Sequence, residues 1–238
     1  MSEEDDLLHT TIPGALEALE QSDSFEAITR MTAAGTPRRV ISCFHLAVRE
    51  LFAQRKLPQM VWIGRAGIEY SLREMHAAGD AELRRELESA ARKLSYHVSA
   101  HLWPGWGDEA VHPTPSDLQS ALDLARVHLR LALGKGLEAE SIGNARWLVG
   151  AQQLALGQVQ VAQDNFARAK SAYQEAEKPA SAWMAEGFQA LSLHLLGTMG
   201  TEGQRRLDAA MSELKSHGDD GEFFADQLRT ARRVFLAS

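Results

Sequence analysis

The sequence predicts an all-α fold of antiparallel helix pairs, and three observations carry that prediction. Apolar residues recur three and four positions apart through most of the chain, and no stretch sustains the two-residue alternation of a half-buried strand. Glycine, proline and capping residues interrupt these stretches where short turns would join helices. Alanine and glycine stand inside the apolar stripes, as closely approaching helices require. At 238 residues and 45% hydrophobic content, the chain can bury a substantial core without metals or disulfides.

Taken in order, residues 1–12 form an acidic leader that is expected to be disordered, and residues 13–238 a single helical domain with a loop boundary near 103–115. Pro13 to Ala34 holds two short helices or one kinked helix, with Ser22-Asp23-Ser24 as the break. Thr36 caps the next helix and Pro37 suits its first turn, after which Val40, Ile41, Phe44, Val48 and Leu51 recur at helical spacing. Pro58 begins a helix running to about Ala78 whose apolar residues cover more than one face, so it is expected to lie between neighbours. Gly79-Asp80 opens another, with a Leu83, Leu87, Ala91, Leu94, Val98 stripe opposite a charged face.

The Trp103–Pro115 segment, with its prolines and glycines, is the longest credible loop. Ser116 or Asp117 is expected to cap the helix after it, which ends at Gly134 and Gly136. Further helices are placed near 139–156, 158–177, 180–197, 201–217 and 221–236.

Composition narrows the function. The net charge of -7 disfavours nucleic acid as a partner, although Arg38/Arg39 or Arg232/Arg233 offer local basic patches. Cys43 is the only cysteine and reads as a buried thiol. The acidic start lacks the pattern of a secretion signal and there is no membrane-length apolar run, so the expectation is a soluble, cytoplasmic protein that does not engage a membrane. Gly134-Lys135-Gly136 and the Gly197–Gly203 stretch lack the context of phosphate-binding loops, and no nucleophile motif surrounds Cys43, His45 or the serines. No catalytic residue, metal or cofactor is assigned.

Between Gly150 and Ala169 the pattern is more specific. Gly150, Gly157, Ala162, Phe166 and Ala169 are spaced so that the helix pair Ile142–Leu156 and Val159–Ala176 resembles a tetratricopeptide repeat. A second unit starts with Trp183 and Gly187, but His194 occupies the expected turn position and Gly197 follows it; Pro179 also comes five residues after the usual proline position, held here by Gln174. The resemblance therefore implies a divergent, right-handed superhelix of stacked helix pairs rather than a regular array. It also implies that the first helix of each pair lines a concave groove. Asn144, Trp147 and Leu154 would line it from one unit, and Met184, Phe188 and Leu191 from the next. That set holds one Asn and no cation, which disfavours a clamp on a terminal carboxylate. Apolar anchors of a peptide would suit it, unless these residues are simply core.

One corner carries a different chemistry. His97 and His101 are four apart on a predicted helix, a spacing found in metal sites. The loop after them brings Trp103, Trp106, Asp108 and His112 as further candidates. There is no HExxH motif, because Val98 stands in the glutamate position. The alternative is a pair of core histidines, with Trp103 or Trp106 buried against His97/His101 and the start of the Leu118 helix in an ordered hinge.

The leading expectation is a noncatalytic scaffold or adaptor that binds a protein or peptide on an apolar concave helical surface. The competing one is a metal-dependent enzyme or small-ligand sensor centred on His97, His101 and the 103–112 loop. A third is self-association into a homo-oligomer.

Overall fold

In the computed structural model, residues 3–197 and 200–236 are described, and among them the chain is α-helical with no strand. Where the sequence predicts one domain with a boundary near 103–115, the chain divides into two compact units between His101 and Leu102. Each is built from helices that pack on their neighbours in sequence.

The first unit comprises α1 (Glu3–Glu20), α2 (Ser24–Thr32), α3 (Pro37–Ala53), α4 (Leu57–Ala77) and α5 (Ala81–His101). Met1 and Ser2 of the acidic leader lie outside the described residues. The rest of the leader, expected to be disordered, is helical from Glu3: Leu7 and Ile12 are buried in line with Ala15 and Leu19, and Asp6 pairs with Arg39 of α3 at 2.8 Å. Pro13 lies inside α1 rather than opening it.

The local stop and start signals act as their chemistry requires. Asp23 accepts a hydrogen bond from the Glu26 backbone N–H at 2.8 Å and caps α2, while Thr36 caps α3 ahead of Pro37. Asp80 accepts from the backbone N–H groups of Glu82 and Leu83 at the start of α5. The expected sandwiching of α4 is observed, and glycine makes it feasible. A Cβ on Gly67 would stand 2.8 Å from Phe44 of α3 and 2.9 Å from Leu94 of α5, and one on Gly64 would collide with Val98.

The second unit opens with a short 3-10 turn at Pro104–Trp106, followed by α6 (Pro115–Gly134), α7 (Ala139–Ala155), α8 (Val159–Glu175), α9 (Pro179–Leu195) and α10 (Gly200–Leu214). A second short turn, Lys215–His217, leads into α11 (Gly218–Leu236). The cap of α6 is Thr114, not Ser116 or Asp117. Pro115 occupies the first helical position, so Asp117 falls on the third, where its carboxylate accepts from the Thr114 backbone N–H at 2.9 Å while Thr114 Oγ1 accepts from Asp117 N–H. Helices α7 to α10 form an antiparallel succession in which each packs on the next, and Gly157 makes the α7–α8 turn at φ +70°. Helix α11 lies against α9, α10 and the Pro104–Trp106 turn.

Candidate functional site

The proposed groove residues lie at the centre of the second unit. Glycines explain how α7 and α8 approach so closely. A Cβ on Gly150 would stand 2.9 Å from Phe166, and one on Gly143 2.7 Å from Tyr173, so the rings of α8 occupy notches seven residues apart on α7. Phe166 then stacks on Phe188 of α9, with ring centroids 5.3 Å apart, and Phe188 meets the edge of Trp147 at 5.4 Å.

Trp103 completes this cluster. It is 1% exposed, its ring lies against Trp147 at 5.2 Å and Phe188 at 5.6 Å, and its indole N–H donates to the Ala151 carbonyl at 3.1 Å. From α11, Leu228 fills the space beside Gly187 and Phe235 lies 6.4 Å from the Trp103 ring. The apolar groove is therefore not an open surface. Trp147, Leu154, Met184, Phe188 and Leu191 are all buried, because the chain covers them with its own Trp103 and α11. Only Asn144 of that set is exposed, and it accepts a hydrogen bond from the Tyr173 hydroxyl at 2.7 Å.

Beside this core, α7 and α8 bring two arginines near one another. Arg146 Nη1 donates to Asn165 Oδ1 at 3.4 Å, and the Asn165 amide donates in turn to Gln153 Oε1 at 2.9 Å. Arg168 follows Asn165 by three residues, one turn further along the same face of α8. Desolvation and then the nearby Arg168 charge hold the Arg146 guanidinium below its usual range. Neither arginine is paired with a carboxylate among the described residues.

The ligand corner resolves differently from the expectation. Its loop residues belong to the second unit: Trp103 is in the aromatic cluster, Trp106 packs edge-on to it at 4.8 Å, Asp108 accepts from the Ala110 N–H at 3.0 Å, and His112 is exposed. His97 and His101 instead line a pocket of about 680 Å³ in the first unit, together with Ser42, His45, Leu46, Val48 and Arg49. Ser42, His45, Leu46 and Arg49 share one face of α3, being three, four and seven residues apart, and the histidines of α5 face them. His97 is exposed at the rim, while His45 and His101 are half-buried. The His101 ring stacks on Phe52 with centroids 3.8 Å apart and 15° between planes, and the His97 and His101 centroids are 6.2 Å apart.

Desolvation, then the neighbouring His97 and Lys93, lowers the His45 pKa to about 4. Desolvation, then His97 and Arg55, does the same for His101, also to about 4. Among the described residues no three His, Cys, Asp or Glu side chains are grouped as a metal ion requires. A smaller pocket, about 360 Å³, lies beside exposed Trp62 with Leu19, Ser22, Ser24, Pro58 and Gln59.

No family model, curated protein or solved structure matches this chain. No helix of the described residues is long and apolar enough to cross a membrane. His45 was the residue that sequence reasoning missed. Considered beside Cys43 it has no meaning, since neighbours two apart diverge on a helix; its partners on α3 are one turn away on either side, at Ser42 and Arg49.

Proposed function

We propose that this chain is a cytoplasmic, noncatalytic scaffold of divergent tetratricopeptide-like helix pairs, and that it binds an acidic protein or peptide segment on the α7–α8 surface. The observation that carries the reading is the arginine couple Arg146 and Arg168, neither in an ion pair among the described residues, held beside Asn165 on two helices whose backbones are fixed by the Gly143–Tyr173 and Gly150–Phe166 contacts. Arg146 supplies the cation that the apolar groove set lacked. A carboxylate approaching there would meet two guanidiniums and relieve their mutual repulsion, with bidentate hydrogen bonding giving orientation. The helical stack contributes rigidity, so that little ordering accompanies binding.

Fluorescence anisotropy with labelled peptides tests this. Peptides carrying Asp or Glu should bind, the same peptides with Asn and Gln should bind at least tenfold more weakly, and a double Arg146→Gln, Arg168→Gln variant should lose the difference. Equal binding of both peptide sets, or of wild type and variant, removes the reading. Substituting Trp147 or Phe188 would report on folding, since both are core.

Self-association has its own motive in the first unit, where Phe25 is 81% and Trp62 59% exposed. Light scattering across concentration decides it: a monomer at every concentration excludes this second reading.

A further inference from the structure

We infer that the pocket between α3 and α5 binds a small organic anion, a carboxylate carried on an apolar body, with Arg49 and the three imidazoles of His45, His97 and His101 receiving the carboxylate. The pocket's volume, about 680 Å³, is that of a small-molecule site. Its wall chemistry selects the ligand class. Leu46 and Val48 supply apolar contact, Phe52 backs the His101 ring, and none of the lining residues is acidic. A cationic ligand would meet no acidic side chain among those lining residues. An anion would find the Arg49 guanidinium and up to one N–H donor from each neutral imidazole. Ser42 already donates its hydroxyl to the Arg38 carbonyl at 3.0 Å, so it offers no proton of its own to the ligand.

The surrounding charges act in the same direction. His45 and Arg49 come from α3, Arg55 from the turn after it, and Lys93, His97 and His101 from α5. Among the described residues, the charges that shift these histidines are Lys93, Arg55 and His97, all from α5 or the turn after α3. A carboxylate seated among the rings favours their protonated forms, so binding takes up protons and tightens as the pH falls towards 6.

The experiment uses the full chain and a defined probe set: hexanoate, decanoate, benzoate, 3-phenylpropionate and indole-3-acetate, each beside its neutral amide. Calorimetric titration at pH 7.5 and 6.0 is paired with histidine-edited NMR. At least one carboxylate should bind, its amide at least tenfold more weakly, with the His45, His97 and His101 signals shifting and affinity rising at the lower pH. Arg49→Gln, on an exposed side chain, should weaken the carboxylate at least tenfold while leaving the amide unchanged. The inference is overturned if no probe binds, if acid and amide bind alike, or if the histidine signals stay in place on binding. It does not depend on Arg146 or Arg168, so either reading can fail alone.

Discussion

The ring of Phe166 stands where a side chain on Gly150 would have to go, with its Cε1 2.9 Å from the position of a Cβ there. The same relation recurs one heptad earlier on α7, between Gly143 and Tyr173, whose Cε1 would be 2.7 Å away. Two notches and two rings thus set the closeness of α7 and α8.

Gly150→Ala and Gly143→Ala are therefore expected to destabilise the protein. Overpacking costs about 1–3 kcal/mol, against which alanine recovers about 1 kcal/mol of helix propensity, leaving a net loss of up to roughly 2 kcal/mol. Gly134, at the end of α6 with nothing within 4 Å of a Cβ, is the control and should be neutral or slightly stabilised by alanine. Urea denaturation reads all three. Equal midpoints for Gly150→Ala and Gly134→Ala would refute the close-packing account.

Trp103 should be among the costliest residues to truncate, although it follows the last helix of the first unit in what sequence alone reads as a loop. Its ring is buried and its N–H is bonded to Ala151. Trp103→Ala is expected to lose about 3–5 kcal/mol, and Trp106→Ala distinctly less, since Trp106 remains 39% exposed. Denaturant midpoints for the pair measure the contrast; a larger loss for Trp106 would reverse the assignment of core and rim.

How far the sequence determined this picture varies by element. Caps and helix spacing were legible at Thr36-Pro37 and Gly157 because those signals are local. Thr114 is hard to read as a cap from sequence because Pro115 is as compatible with the end of a loop as with the first helical position it occupies. The groove failed for a physical reason of another kind. Whether an apolar stripe on α7 and α9 stays open depends on what the remaining chain covers, and neither Trp103 nor Leu228 is near it in sequence. The histidine pocket was half legible: the i, i+4 pair on α5 is a local pattern, whereas its pairing with His45 needs the tertiary contact of α3 with α5.

Glu186 holds α8, α9 and α10 together from a buried position on α9. Its carboxylate accepts from Lys170 at 2.9 Å and from both Nε and Nη2 of Arg206, at 2.9 and 2.7 Å. Desolvation alone would raise its pKa, but the hydrogen bonds and charges of Lys170 and Arg206 outweigh it and the net shift is downward. A lowered carboxylate pKa means stability present above the usual glutamate range and lost as pH falls through and below it. Glu186→Gln should cost about 2–3 kcal/mol at pH 7, less than a fully buried pair because both cations keep partial exposure. The variant should lie closer to wild type at pH 3.5 than at pH 7, and a pH-independent gap would show that charge is not the source.

The histidine pocket makes a test of the same sign at milder acidity. His45 and His101 have pKa values near 4 in the folded chain against an ordinary value of 6.5, so the folded state binds fewer protons than the unfolded one between those limits. Stability from this source is complete above about pH 6.5 and declines as the pH falls towards 4. After discounting for solvent at these half-buried rings, the loss between pH 7 and 5 is on the order of 1 kcal/mol. A His45→Gln, His101→Gln double variant carries no such groups, so its denaturation midpoint should fall less than that of wild type over the interval. The Glu186 carboxyl is held below the ordinary glutamate value, so its contribution stays nearly constant there and the two effects separate by pH. Parallel midpoint curves for wild type and the double variant from pH 7 to 5 would show that these imidazoles are as well solvated as free histidine, contrary to their placement between α3 and α5.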